Sequence, residues 1–147
     1  MGMTHDGSAA EQRLIAWGDE LVKLHDGFRR DLAELRRTAG WSPGIREHCL
    51  TFCQALHAHH AGEDDVLFPH LDGLHPELAA VLTRLRGEHQ VVARILAQIR
   101  TLLDTGDPAE LATELDRLGA ELEAHLDYEE EQLVPLLNKM IDVPEDL

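Results

Sequence analysis

Four histidines and two glutamates in this chain stand where an amphipathic helix calls for leucine. They do so in a repeated order. The run from His125 through Glu129 to Leu137 has a twin, His59 through Glu63 to Leu71, 66 residues earlier. His, Glu, Leu, Pro and Leu recur at the same five places, and Asp64 and Asp65 match Glu130 and Glu131. A lone histidine precedes each run, His25 and His89, 64 residues apart. The chain therefore reads as a duplicated unit, and a matched pair of metal half-sites is the simplest chemistry for it.

The spacing suits a cation mechanically. His and Glu at i, i+4 lie one helical turn apart on one face. Such a pair reaches one ion or two adjacent ions. A glutamate from each half can bridge two metals while histidines cap the outer sides. Burying two carboxylates and four imidazoles in an apolar bundle costs several kcal/mol per charged group unless they are paired or bind a cation. The donors are nitrogen and oxygen without thiolate, which disfavours a structural zinc site. Imidazole with carboxylate suits Fe, Mn or Zn, and a two-metal core inside a helical bundle suits iron best.

Four helices must position these side chains. In the first, from about Ser8 to Thr38, Leu14, Trp17, Leu21, Phe28, Leu32 and Leu35 keep a helical stripe with His25 in its line. Gly40 to Gly44 make a turn, and the second helix is expected to open at Pro43. Its stripe is Ile45, Cys49, Phe52, Leu56, His59, Glu63 and Val66 or Leu67. Pro69 is expected to end or kink it, with Leu71 to Pro76 as the connection. The third helix opens at Pro76 and carries Leu78, Leu82, Leu85, His89, Val92, Leu96, Ile99 and Leu103. Asp107 is the expected N-cap and Pro108 the first residue of the fourth helix. That helix carries Leu111, Leu115, Leu118, Leu122, His125, Glu129, Leu133 and Leu136, and Pro135 is expected to kink or end it. Short connections make neighbours antiparallel, so the expected fold is all-α, an up-down-up-down four-helix bundle. The bundle is expected over 10–139, with flexible tails at 1–9 and 140–147.

Composition agrees and excludes other classes. Aromatic residues make up only 4% of 147, which favours helices over sheets. A net charge of −15 repels phosphate backbones and anionic lipid, so neither nucleic acid nor membrane is an expected partner. No run approaches the roughly 20 apolar residues of a membrane span. The N-terminus has no basic start followed by an apolar block, and Asp6 stands where a myristoylation site wants Ser or Thr. A cytoplasmic protein is expected, as a monomer or weak homodimer. Cys49 and Cys53 fall one turn apart on one helix and are expected as free thiols.

The arrangement His25, His59-x-x-x-Glu63, His89, His125-x-x-x-Glu129 resembles the hemerythrin-like (HHE cation-binding) domains, closest to the bacterial H–HxxxE–H–HxxxE form. The resemblance runs from about Leu14 to Leu137. It implies a non-haem di-iron centre with carboxylate and oxo or hydroxo bridges. His25, His59, His89 and His125 are then terminal ligands, and Glu63 and Glu129 bridge. One feature departs from the oxygen carriers of that family, which place two histidines one turn apart on the third helix. Here Leu85 and Ala93 stand one turn either side of His89. His60 is the candidate for the missing imidazole, because its twin is Leu126, although it lies about 80° from the centre of the stripe. Tyr128, opposite Gly62 in the repeat, is a candidate to ligate, to hydrogen-bond a bound peroxide, or to cover the site. Asp64 and Glu130 are expected to be solvated, with ligation or histidine orientation as the other readings. His5, His48, His57, His70 and His75 lie off the stripe.

The expected function is binding of O2 or a related small oxidant, peroxide or NO, at this site. The alternatives are a di-iron enzyme with catalase-like, peroxidase-like or oxidase activity, and a structural or storage metal bundle. Expected walls are Leu21, Phe28, Phe52, Leu56 and Val92.

Overall fold

The computed structural model describes the backbone at 2–39 and 43–139 and the side chains at 17–39 and 43–139. Helix α1 spans Gly2–Thr38 and α2 spans Ile45–Gly62. A π-helical turn, Glu63–Leu67, joins α2 to α3, Phe68–Leu74. After a 3-10 turn at Pro76–Leu78 come α4, Ala79–Thr105, and α5, Pro108–Lys139. The fold is an all-α four-helix bundle, with α2, the π turn and α3 stacked into one rod. Around the bundle α1 packs on α2 and α5, and α4 packs on the same two. The two halves of the repeat thus sit across the bundle from each other, α1 opposite α4 and the second rod opposite α5.

Several boundaries follow from local chemistry. Asp107 caps α5 by accepting from the Ala109 and Glu110 N–H groups at 3.0 and 3.2 Å, with Pro108 at the first helical position. Gly106 closes α4 at φ +79°, a left-handed conformation that suits glycine. Gly18 lies so close to Asn138 and the Val134 carbonyl that a Cβ there would collide, which lets α1 approach α5.

Several expectations need correcting. The second helix opens at Ile45, with Pro43 and Gly44 in the preceding turn. Pro69 neither ends nor breaks the rod. The ladder widens just before it, where the Phe68 N–H bonds the Glu63 carbonyl, five residues back. The helix then runs to Leu74, so Leu71 is a buried helical residue rather than part of a connection. The widening follows Gly62, a residue of low helix propensity. The twin position is Tyr128, where α5 stays α-helical and carries Pro135 within it. Helix α1 starts inside the stretch expected as a tail. The side chain of Leu14, residues 40–42 of the expected turn and the stretch 140–147 lie outside the described residues.

The apolar stripes form two clusters along the bundle axis. One gathers Phe28, Leu32, Phe52, Leu56, Val92, Leu122 and their neighbours. The other gathers Leu21, Leu67, Phe68, Leu71, Leu82, Leu85, Leu133 and Leu137. Between them lies a layer of buried polar residues: His25, His60, Glu63, His89, His125 and Glu129. Cys49 and Cys53 are free and buried in the first cluster.

Candidate metal centre

Each rod feeds this layer at the level where its stripe turns polar. Helix α1 supplies His25, α2 supplies His59 and His60, the π turn supplies Glu63, α4 supplies His89, and α5 supplies His125 and Glu129. The seven fall into two overlapping groups. His60, Glu63, His89 and His125 form one, and His25, His59, Glu63 and Glu129 form the other. In each group the donor atoms all lie within 4.8 Å of one another.

The carboxylates span the groups. Glu63 puts one oxygen 3.1 Å from His89 Nε2 and the other 3.3 Å from His59 Nε2. Glu129 puts one oxygen 3.3 Å from His125 Nε2 and the other 3.6 Å from His25 Nε2. Donors about 2.1 Å from one ion and at right angles to each other stand about 3 Å apart. These separations are of that order.

The outer nitrogens show which way the rings are held. His25 Nδ1 meets Glu130 at 2.8 Å, His89 Nδ1 meets Asp64 at 2.8 Å, and His125 Nδ1 meets Glu88 at 2.7 Å. A carboxylate there accepts from Nδ1–H and so keeps the ring proton on Nδ1, and Nε2 presents a lone pair inward. His25 Nε2 then faces His59 Nε2 at 3.3 Å, an arrangement that a cation between them would relieve. The Nε2 atoms of His60, His89 and His125 and all four oxygens of Glu63 and Glu129 are buried without a hydrogen-bond partner. Native interiors rarely leave such atoms orphaned, and here seven converge. The residues fit a metal centre.

The chain belongs to the hemerythrin HHE cation-binding domain family.

The family's sequence model matches residues 18–137. Neither a curated protein nor a solved structure matches the chain.

In this hemerythrin-family domain, burial sets the electrostatics of the polar layer. Burial pushes His25 down to about 4, against the pull of Glu130. Burial also pushes His60 far down, helped by His89, and lowers His125 against the pull of Glu88. Those rings are neutral at pH 7, the form that binds metal. Burial opposes protonation of His89 too, but Glu63 and Asp64 outweigh it and raise that group. Burial drives Glu129 well above the usual carboxylate range, together with the Glu63 charge. Glu63 is held well below that range, because Glu129 and the His59 and His89 imidazoles outweigh the effect of burial. The two buried carboxyl groups are thus pushed in opposite directions.

His60, off the stripe by helical phase, lies inside the layer at 4% exposure and stacks on His89 at 3.9 Å between ring centroids. Phe68 also stacks on His89, at 5.5 Å. The expected walls Leu21, Phe28, Phe52, Leu56 and Val92 are all buried. Asp64 and Glu130, expected to be solvated, instead orient His89 and His25. Tyr128 packs under the Arg84 guanidinium, 3.7 Å from its ring centroid. His48 and His57 are exposed, and His75 pairs with Glu77 at 3.2 Å. The side chain of His5 lies outside the described residues.

Sequence reasoning missed Glu88 and Arg29. Arg29 bonds Asp26, Glu123, Asp127 and Glu130, and so fixes the carboxylate that holds His25. The available signal for Glu88 was its place directly before His89. A cavity of about 280 Å³, lined by Trp17, Glu20, Leu21, Leu24, His59, Glu63 and Leu67, reaches the His59 side of the layer. Among the described residues no helix is long and apolar enough to cross a membrane.

Proposed function

We propose that this domain holds two iron ions and binds a small oxidant, O2, peroxide or NO, at the ion of the His25–His59 group. In this reading His60, His89 and His125 hold one ion, His25 and His59 hold the other, and Glu63 and Glu129 bridge. The observation that carries it is the convergence of seven unpartnered buried donor atoms, with carboxylates behind three of the rings. Mn or Zn also suits such donors, but the all-nitrogen-and-oxygen, carboxylate-bridged pair inside a bundle favours iron.

A bound di-iron pair supplies electron exchange with O2 or peroxide. The chain's own residues set the conditions. Phe28, Phe52, Leu56 and Val92 exclude water from one side of the layer. Asp64, Glu88 and Glu130 keep protons at the outer nitrogens. The cavity beside His59 and Glu63 admits a small molecule to the group with fewer imidazoles. Its volume lies at the lower edge of the roughly 300–1,000 Å³ typical of organic-ligand pockets, which suits a small oxidant. Glu20 on its wall gives protons a way in, and this favours peroxide turnover as the second reading. The proposed setting is the cytoplasm, where two unpaired buried cysteines are at home. The strong negative charge supports a partner that is a small ligand rather than nucleic acid or membrane, and a monomer or weak homodimer.

The test is iron content with the visible spectrum, before and after addition of peroxide and of O2. Two irons per chain and oxo-bridge bands that respond to the oxidant are expected. Release of O2 from peroxide would select turnover over binding. Protein that takes up no iron anaerobically and shows no such bands would refute the proposal.

A further inference from the structure

The two histidines of the repeated His-x-x-x-Glu runs are not held alike. Behind His125 stands Glu88, and Arg84, one turn before it, pairs with Glu88 at 3.0 Å. The equivalent places in α1, 64 residues earlier, carry Leu24 and Glu20. Among the described residues no carboxylate meets Nδ1 of His59, whose polar contacts all run through Nε2. Leu24 is 47% exposed, and Leu24 and Glu20 line the cavity that reaches His59 and Glu63. On the α4 side Tyr128 and Arg84 pack together beside Glu88.

Resting on the two-ion reading above, we propose that residues 20 and 24 leave His59 unanchored, so that the ion of the His25–His59 group exchanges readily through this cavity. The ion held by His60, His89 and His125 stays in place. A carboxylate behind a metal-binding histidine fixes the ring's tautomer and orientation and raises its basicity. Loss of such a partner typically costs 10–100-fold in metal affinity. His59 lacks it, and its ring sits on the wall of a cavity. His25, His125 and His89 have it, on Glu130, Glu88 and Asp64. His60 has none and borders, with His89, a smaller cavity of about 200 Å³, but its ring is only 4% exposed and is stacked on His89 at 3.9 Å. The count of imidazoles, two against three, acts in the same direction. Residues 20 and 24 can be changed without touching that count, which separates the two causes.

The experiment uses cobalt(II) alone as the probe, loaded into the full chain and followed by visible absorbance during release into excess chelator. The native chain is expected to lose one ion at least about tenfold faster than the other. The double variant Glu20→Arg with Leu24→Glu copies the Arg84–Glu88 pair into α1. It is expected to slow the fast phase by about tenfold and leave the slow phase in place. Glu88→Leu approaches from the other helix and is expected to speed the slow phase. Two bound ions that leave the native chain in a single phase would overturn this proposal while leaving the two-ion centre standing. So would a fast phase that the double variant does not move while far-UV circular dichroism shows native helicity. A failure of the double variant to fold passes the decision to Glu88→Leu, where an unmoved slow phase overturns the proposal. A chain that binds no cobalt would overturn the two-ion centre and this proposal with it.

Discussion

Leu24 and Glu88 each stand one residue before a buried histidine, at equivalent places in the two halves of this bundle. Glu88 turns back to hold His125, with Arg84 holding it in turn. Leu24 is half exposed beside a cavity that reaches His59. The same contrast recurs one helix away, where Tyr128 packs under Arg84 and its twin, Gly62, has no side chain to offer. Apart from His60, matched by Leu126, the repeat has kept its inward donors and let the residues behind them diverge. The two halves thus differ in how firmly the histidine of each His-x-x-x-Glu run is backed. The lesson is that ligand identity and ligand accessibility are written at different positions, and only the first follows the helical stripe.

The comparison can be broken most severely at the carboxylates that serve both halves. Glu129→Ala removes the oxygens facing both His125 and His25. It is expected to cost at least one ion per chain, read by elemental analysis, and unchanged metal content would remove the bridging role. His60→Leu makes the first half copy Leu126 of the second. It is expected to weaken the ion of the His89–His125 group selectively in a chelator competition, because that group then has two imidazoles in place of three. Two retained ions with an unaltered spectrum would place His60 outside the donor set.

Acid is expected to act more gradually on the metal-free protein. An unfolded histidine takes its proton near 6.5, whereas folded His25 takes it only near 4. Between those values the unfolded chain binds more protons, so its share of stability is complete above 6.5 and is lost as pH falls toward 4. The loss from His25 alone is on the order of 3 kcal/mol. His60 and His125 act in the same direction. His89 acts oppositely, since its raised pKa adds stability at low pH. Urea melts of the metal-free chain at pH 7 and pH 4.5 check this, and equal midpoints would contradict it. The smallest expected effect is at Tyr128. Tyr128→Phe keeps the ring under Arg84 and is expected to leave metal affinity within about threefold, since the Arg84 contact is to the ring face rather than the hydroxyl. A tenfold change in a chelator competition would make that hydroxyl a participant.

Much of this was legible in the chain. Periodicity placed the four rods, and Asp107 with Pro108 announced the start of α5. A polar residue on a leucine stripe is visible because the stripe itself defines the axis-facing side. The carboxylates behind the histidines were not legible in the same way. Glu88, Glu130 and Asp64 sit on flanks, where an acid is ordinarily solvated, and each reaches a histidine on a different helix. Only the packing of rods brings them together. The π turn after Gly62 was also hidden. Pro69 and Pro135 share a register, yet only the first follows a widened turn, so proline alone does not signal it. His60 stood out because it broke the repeat, while helical phase by itself argued against it.

The most direct test of the central claim is the crystal structure of the iron-loaded chain with anomalous scattering recorded at the iron edge. Two peaks are predicted, one among His60, His89 and His125 and the other between His25 and His59, with Glu63 and Glu129 reaching both. A single peak, or a pair with His60 turned away from both, would contradict the account.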